Sequence, residues 1–216
     1  MIGREATVVE TVALFDFDDT LVLGNSQRAL IYFLLAEQKS LSGLVRCISR
    51  ACKNYILARC GLREAIKRSF LMEFIRGRKS SDFCNFFPLI AKRLQVNVGV
   101  VQALHSEAVA GNSIWIVTAS PAFLVEGVLE CLDLRLGEIR LMVLGSNLEA
   151  RGGELTGNFK FECIRANKVV AIANQIKAAG ADIKIGAAYG NLPDDYDMLC
   201  LANRAYNVRG KRIEQL

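Results

Sequence analysis

An apolar run that ends in a cluster of carboxylates constrains the fold of this chain most. Residues 8–15 (VVETVALF) are rich in β-branched and aromatic side chains with little alternation, which is typical of a buried strand in a parallel sheet. Asp16, Asp18 and Asp19 follow where this strand should end. In open α/β sheets, ligand sites lie outside the carboxyl ends of the strands. The sequence therefore predicts a functional site at the end of its first strand.

The spacing of Asp16 and Asp18 favours a metal site. Residues two apart on a strand share a face, and clustered carboxylates raise each other's pKa unless a cation joins them. Hard oxygen ligands of this kind suit Mg²⁺. The alternative is a strand followed by an acidic turn, in which Asp19 and Thr20 cap a helix.

Composition indicates one good-sized domain, or a domain with an insertion, in a reducing compartment. Of the 216 residues, 52% are apolar, which is ample for a core. The seven cysteines are odd in number and include no Cys-x-x-Cys, which argues against a zinc site or a disulfide framework.

The first residues lack a signal-peptide pattern. The uncharged stretch 108–125 contains Gly, Asn, Ser and Pro, so it favours a strand with loops over a membrane span. We therefore expect a cytoplasmic protein.

Strands and helices alternate over most of the chain. The predicted strands are residues 7–15, 113–117, 141–144, 183–188 and 205–208. The predicted helices between them are residues 122–131, 168–179 and 194–202, and Gly152-Gly153 predicts a hairpin turn within 148–156. This alternation is typical of a Rossmann-like, doubly wound parallel sheet in the α/β class.

Residues 23–105 do not alternate and are predicted to be helical. The predicted helices are residues 27–37, 42–58, 62–75, 81–94 and 98–105. We therefore predict a catalytic core formed by residues 1–22 and 106–216, with a helical cap of residues 23–105 inserted after the first strand.

Three further segments place polar groups at predicted strand or helix ends. Thr118 Oγ and the backbone N–H groups of Ala119 and Ser120 could bind an anion at a helix N-terminus, or Ser120 could belong to an ordinary Ser-Pro cap. Lys168 begins a helix, where a cation is unfavourable for the dipole, so it either binds an anion or is simply solvated. Oxygen ligands on the loop 190–195 then precede a helix.

Together the four segments resemble the haloacid dehalogenase superfamily. Its pattern is Asp-x-Asp-x-Thr after the first strand, Ser or Thr after the second, a distant Lys and a final acidic loop, and this chain shows them in that order. The helical insertion is similar to that superfamily's first type of cap. Residues 118–121, residues 152–157 and Lys168 most resemble the phosphoserine-phosphatase-like branch, which also includes a bacterial phosphatidylglycerophosphatase.

The resemblance implies a role for each segment. Asp16 would be the nucleophile, and Asp18 would protonate the leaving group and then activate water. Mg²⁺ would be held by the Asp16 carboxylate, the Asp18 carbonyl and the final loop. The residues implied for the phosphoryl group are Thr118, Ala119 and Lys168, and those implied for the loop's metal ligands are Asn191 and Asp195.

Two positions depart from the family pattern. Asn191 stands where the final motif usually has its first Asp, which should weaken Mg²⁺ binding unless Asp195 or its neighbour Asp194 compensates. Asn25 stands where phosphoserine phosphatases have the acidic residue that receives the substrate amine. A neutral amide cannot pair with an ammonium group, so phosphoserine loses support as the substrate.

The basic charge is concentrated in one segment. The chain has a net charge of +5, but residues 39–79 hold eleven Lys or Arg and two acids. Such a segment could face phosphate, an anionic membrane or nucleic acid. Its aromatic residues are few and lie at core-like spacing, so we expect no nucleic-acid binding. In the predicted helix 42–58, apolar residues lie on one face and Arg46, Arg50 and Lys53 on another, so it could contact an anionic membrane or pack within the cap.

The sequence therefore predicts a Mg²⁺-dependent phosphomonoester hydrolase that acts through an aspartyl-phosphate. Its substrate would be a small phosphorylated metabolite or a phospholipid head group, and its location would be cytoplasmic, with peripheral membrane contact as an option. The alternative is a phosphate-binding protein with weak catalysis that retained the same fold.

Overall fold

The centre of the molecule is a seven-stranded sheet in the order β6-β5-β4-β1-β7-β8-β9. The computed structural model of the chain describes residues 10–37, 41–57, 62–137, 139 and 141–216. The strands are β1 (Glu10–Phe15), β2 (Val22–Leu23), β3 (Gln95–Val96), β4 (Ser113–Pro121), β5 (Leu141–Arg151), β6 (Glu154–Phe161), β7 (Ile183–Gly190), β8 (Arg204–Arg209) and β9 (Arg212–Gln215). Strands β5, β4, β1, β7 and β8 run parallel, and β6 and β9 are antiparallel edges.

Helices surround this sheet. They are α1 (Ser26–Glu37), α2 (Leu41–Leu57), α3 (Leu62–Phe74), α4 (Phe87–Arg93), α5 (Val98–Val109), α6 (Ala122–Cys131), α7 (Ala166–Ala179) and α8 (Tyr196–Leu199), with a 3-10 turn at Ser80–Phe83. The predicted α/β fold with a Rossmann-like sheet is confirmed. Residues 7–9 of the predicted first strand lie outside the described residues.

Strand β1 lies in the middle of the sheet and is buried on both faces. Ala13 and Phe15 belong to one apolar cluster, whereas Val12 and Leu14 belong to the other. Burial on both faces explains why the sequence of this strand shows little alternation. Because β4 and β7 pair with opposite edges of β1, the chain reverses its direction of winding there, and the end of β1 is a topological switch point.

Aromatic stacking fixes the carboxyl end of β1. The Phe15 ring stacks on Tyr189 of β7, and Tyr189 stacks on Tyr206 of β8, each pair with ring centroids 4.5 Å apart. The Tyr189 hydroxyl donates a hydrogen bond to the buried carboxylate of Glu107 in α5. The sheet is therefore rigidly packed directly beneath the residue that follows Phe15.

Some predicted helices differ from those observed. The predicted helix 81–94 is divided into the 3-10 turn and α4, which carries Pro88 in its first turn. Pro88 has no N–H to continue a helix from the preceding residues. The predicted helix 194–202 is reduced to α8, and the edge strand β9 was not predicted. The hairpin at Gly152-Gly153 is present between β5 and β6.

The helices of the insertion pack in two groups. Helices α2 and α3 pack on each other, and α3 also packs on β6. In contrast, α4 packs on α6, and α5 packs on β1, β4 and β9. Strands β2 and β3 pair with each other near the two ends of the insertion. The boundary 23–105 stays a prediction, although these contacts associate α4 and α5 with the core.

Two backbone hydrogen bonds join the turn after α3 to the hairpin. Gly77 N–H donates to the Leu155 carbonyl and Leu155 N–H donates to the Arg78 carbonyl, each at 2.8 Å. Gly157 lies so close to α3 that an added Cβ would be 2.5 Å from the Cα of Met72.

Among the described residues, none of the helices is both long and apolar enough to span a bilayer.

Candidate active site

The Asp16 carboxylate is buried at the end of β1. Its backbone N–H donates to the Tyr189 carbonyl at 2.9 Å, which continues the pairing of β1 with β7. Only 5% of the residue is exposed, and Oδ1 accepts a hydrogen bond from Lys168 Nζ at 2.6 Å. The predicted nucleophile and the predicted phosphate-binding lysine are therefore in direct contact.

Lys168 uses all three of its ammonium hydrogens. Nζ donates to Asp16 Oδ1 and Asp195 Oδ1, each at 2.6 Å, and to the Val117 carbonyl at 2.9 Å. The residue is 3% exposed in the first turn of α7. The alternative of a solvated lysine is wrong, because the two carboxylates supply the reason for a cation at this helix end.

Asp195 is the acidic residue of the final loop that lies in the site. It is 2% exposed, and Oδ2 accepts a hydrogen bond from the Asn191 N–H at 2.8 Å. A Cβ on Gly190 would be 2.7 Å from the Asp195 carboxylate, so glycine is required at this close approach. Asp194, in contrast, is exposed and pairs with Arg165 at 3.3 Å.

Asp18 is held by two serines. Its Oδ1 accepts a hydrogen bond from the Ser26 N–H at 2.6 Å, and its Oδ2 accepts from the hydroxyls of Ser26 and Ser120 at 3.1 and 2.5 Å. Sequence reasoning missed both hydroxyls, since Ser26 is distant from Ser120 in sequence and neither belongs to the motif of Asp18. The only sequence signal is that each begins or precedes a helix.

Thr118 and Ala119 lie in a bulge at the end of β4. Val117 pairs with Leu144 and Pro121 pairs with Ser146, so three residues of β4 lie opposite Gly145 alone. Gly145 allows this, because a Cβ there would be 2.9 Å from the Ser120 carbonyl oxygen. Bulges of this kind redirect backbone groups next to active sites.

The bulge explains which predicted anion donors are available. Thr118 is fully buried, and its Oγ1 accepts a hydrogen bond from the Ser120 N–H at 3.1 Å. The Ala119 carbonyl accepts one from the Ser146 hydroxyl at 2.7 Å. The Ser120 N–H is therefore already used within the protein.

Burial dominates the electrostatics of the site. It raises the pKa of Asp16 to about 7, with a further increase from the Asp195 carboxylate and an opposing effect of the Lys168 ammonium group. Burial alone would lower the pKa of Lys168, but the carboxylates of Asp16 and Asp195 raise it above its ordinary value, so the lysine stays charged. Burial also raises the pKa of Asp18, and the hydrogen bonds from Ser120 and Ser26 offset only part of this increase.

The oxygen atoms that make no hydrogen bond within the described protein suit a hard cation that takes few of its ligands from the protein. Asp16 Oδ2 and the Asn191 side chain hydrogen-bond to no described residue, whereas both oxygens of Asp195 accept hydrogen bonds. Within the described part of the chain, no three His, Cys, Asp or Glu side chains gather closely enough to hold a metal ion. Mg²⁺ typically binds one or two carboxylates and keeps several waters, so this donor set fits it.

We expect Asp195, and not Asp194, to control the Mg²⁺ requirement. Asp195→Asn should raise the Mg²⁺ concentration for half-maximal activity by about tenfold or more, as expected for a group that orients metal ligands. Asp194 in the loop and Asp197 in α8 are both exposed, so the matched controls Asp194→Asn and Asp197→Asn should have little effect. Asn191→Asp should lower the requirement or leave it unchanged. Equal effects at Asp194 and Asp195 in a Mg²⁺ titration would contradict this assignment.

Comparison with known proteins places the chain in a family. Residues 13–199 match the model of the haloacid dehalogenase-like hydrolases. No curated protein matches the sequence closely enough to be called a relative.

Several solved structures share the fold. A protein of unknown function from Bordetella pertussis Tohama I has a TM-score of 0.69 and 18% identity, over 91% of this chain and 89% of that one. A phosphoserine phosphatase with a phospho-aspartyl intermediate analogue has a TM-score of 0.54 and 19% identity, over 90% of this chain and 84% of that one. A substrate-bound phosphoserine phosphatase has a TM-score of 0.54 and 18% identity, over 89% and 83% of the two chains. The chain therefore belongs to the haloacid dehalogenase-like hydrolase family, as its motifs predict, and shares its fold with the phosphoserine-phosphatase-like branch.

Proposed function

We propose that this hydrolase is a Mg²⁺-dependent phosphomonoester phosphatase that forms an aspartyl-phosphate at Asp16. The observation that carries this proposal is the difference between the surroundings of its two carboxylates. Asp16 contacts the ammonium group of Lys168, whereas Asp18 contacts an N–H and two hydroxyls. Two carboxylates in such different environments are suited to separate roles as nucleophile and as acid–base group.

In the first step, an Asp16 oxygen attacks phosphorus and the bond from phosphorus to the substrate oxygen breaks. Asp18 donates its proton to the leaving alkoxide. In the second step, Asp18 removes a proton from water, the water oxygen attacks phosphorus, and the Asp16–phosphorus bond breaks to release inorganic phosphate.

The serines around Asp18 suit a group that alternates between acid and base. A hydroxyl can donate to a carboxylate and can accept from a carboxylic acid. The hydroxyls of Ser26 and Ser120 therefore satisfy Asp18 in both states without a change of partner. The raised pKa of Asp18 favours the protonated form that the first step requires.

The remaining residues would hold the phosphoryl group and the cation. The Thr118 hydroxyl and the Ala119 N–H would contact phosphoryl oxygens, and the Lys168 ammonium group would exchange one of its three acceptors for a phosphoryl oxygen. Mg²⁺, when bound, neutralises charge on the phosphoryl group, and the Asp16 carboxylate, the Asp18 carbonyl and the Asn191 side chain would hold it. Asp195 would keep Lys168 and the 191–195 loop in place, and would support the cation from there.

The substrate class is a phosphomonoester without a recognised amine. Asn25 lies in the position that would receive such an amine, and its Oδ1 accepts the Arg28 N–H at 2.9 Å as a cap of α1. A small phosphorylated metabolite and a phospholipid head group remain the candidate substrates, whereas phosphoserine loses support.

Hydrolysis of p-nitrophenyl phosphate tests the proposed function. We expect turnover with Mg²⁺ and loss of turnover with EDTA, restored by added Mg²⁺. Turnover that persists in EDTA would contradict the role of the cation. Folded protein that binds phosphate with Mg²⁺ but hydrolyses no phosphomonoester would favour the alternative of a phosphate-binding protein.

A further inference from the structure

Helix α2 exposes a row of apolar side chains. Val45, Ile48, Tyr55 and Ile56 are between 51 and 71% exposed, and Cys52 is also exposed. Their spacing places all five on one face of the helix. This row, which we call the α2 stripe, consists of Val45, Ile48, Cys52, Tyr55 and Ile56. A contiguous exposed apolar surface of this kind marks an interaction site.

The α2 stripe is not needed for packing within the insertion. Helix α2 packs on α3, and the residues of α2 that are buried include the small Cys47 and Ala51. The larger side chains of the stripe lie on a different face. The interpretation in which this helix packs its whole apolar face within the cap is therefore wrong for Val45, Ile48 and Tyr55.

The charge next to the α2 stripe is positive. Helix α2 contains no acidic residue, and Arg46, Arg50 and Lys53 lie along one side of the stripe. Arg46 and Arg50 both reach Glu73 of α3, at 2.7 and 3.0 Å, so one carboxylate is shared by two guanidinium groups. Lys53 is exposed and pairs with no described acid. The surface is therefore apolar with a basic margin.

We propose that the α2 stripe docks on the surface of an anionic lipid bilayer. Such a bilayer can bind both parts of this surface. The apolar side chains insert at the boundary of the acyl chains, and the basic side chains pair with the anionic head groups. Each basic residue close to such a surface increases affinity about fivefold.

Charge argues against a second copy of the chain on this surface. A two-fold contact would bring Arg46, Arg50 and Lys53 of one protomer close to the same residues of the other. Glu73 offsets only part of this charge, so the remaining like charges would repel.

Docking itself goes beyond the proposed function. Its consequence for substrate choice, a lipid phosphomonoester presented at the membrane, rests on that function. Vesicle binding needs no turnover, whereas hydrolysis of p-nitrophenyl phosphate needs no membrane. The two measurements therefore separate failure of docking from failure of the phosphatase assignment.

Co-sedimentation with vesicles tests docking. The full chain is mixed at low salt with vesicles of phosphatidylcholine alone, or of equal parts phosphatidylcholine and phosphatidylglycerol. The test variant is Ile48→Asp with Ile56→Asp. The matched control is Val98→Asp with Val109→Asp, which makes the same charge change at two exposed apolar positions of α5. A second pair compares Lys53→Glu with Lys177→Glu on the exposed surface of α7.

We expect the wild type to bind the anionic vesicles and to be released by high salt. The stripe variant should lose about tenfold or more in partition coefficient, and Lys53→Glu should lose more than Lys177→Glu. The double variant Ile48→Asp with Ile56→Asp and the variant Lys53→Glu should both hydrolyse p-nitrophenyl phosphate like the wild type. Equal binding to neutral and anionic vesicles, or equal loss in the stripe variant and its control, would overturn the proposal. A dimer that the stripe variant dissociates, without vesicle binding, would assign the surface to a second copy instead.

Discussion

Replacing Asp16 by Asn is expected to lower turnover by about ten thousandfold or more, because it removes the nucleophile while keeping the shape of the side chain. The matched control is Asp19→Asn, three residues further on. Asp19 is exposed and its carboxylate accepts the N–H of Gly24, so this variant should retain activity. Near-normal turnover by Asp16→Asn would refute Asp16 as the nucleophile.

The same substitution should not destabilise the fold in metal-free buffer. Burial raises the pKa of Asp16 from 3.8 to about 7, so the folded state binds the Asp16 proton more tightly than the unfolded state does. The stability associated with this group is present below about pH 4 and is lost as the pH rises through about 7. Asp16→Asn should therefore gain stability relative to the wild type between these pH values. Urea unfolding in EDTA at several pH values measures the gain, and a larger advantage at low pH would contradict the pKa shift.

Replacing Lys168 by Met is expected to abolish turnover and to destabilise the protein by about 3–5 kcal/mol, the usual cost of removing one partner of a buried ion pair. The change leaves Asp16 and Asp195 buried without their shared cation. The loss of stability should shrink as the pH falls, because protonation removes the buried negative charge.

Two further variants separate this effect from loss of a lysine in general. Lys177→Met, on the exposed surface of the same helix, should change stability by less than about 0.5 kcal/mol. Adding Asp195→Asn to Lys168→Met should recover part of the loss, since it removes one uncompensated charge. Equal destabilisation by the Lys168 and Lys177 variants would show that the buried network contributes nothing to stability.

The parts of the site that the sequence predicts are those carried by a strand end. Asp16, Thr118 and Asp195 lie at or after the carboxyl end of an apolar strand, so the rule that parallel strands gather their carboxyl ends brings them together. The helix-start position of Lys168 left an anion ligand and a solvated lysine both open, and the family resemblance favoured the first. Its burial between two carboxylates explains that position.

The rest depends on contacts between distant segments. The hydrogen bonds from Ser26 and Ser120 to Asp18 join three segments that no local pattern relates. The sequence also could not predict that the α2 stripe is exposed. Periodicity shows that a helix has an apolar face but not what covers that face. The division of the predicted helix 81–94, in contrast, had a local signal in Pro88 that the apolar periodicity obscured.

The most direct test of the central claim is to trap the phosphoryl group on the protein. The enzyme is mixed with excess p-nitrophenyl phosphate and Mg²⁺, quenched in acid during turnover, digested and examined by mass spectrometry. We predict a phosphoryl group on the peptide that contains Asp16, localised to Asp16 itself, and no such adduct in Asp16→Asn. Active enzyme that yields no phosphorylated Asp16 peptide, or that carries the phosphoryl group on another residue, would contradict the proposed mechanism.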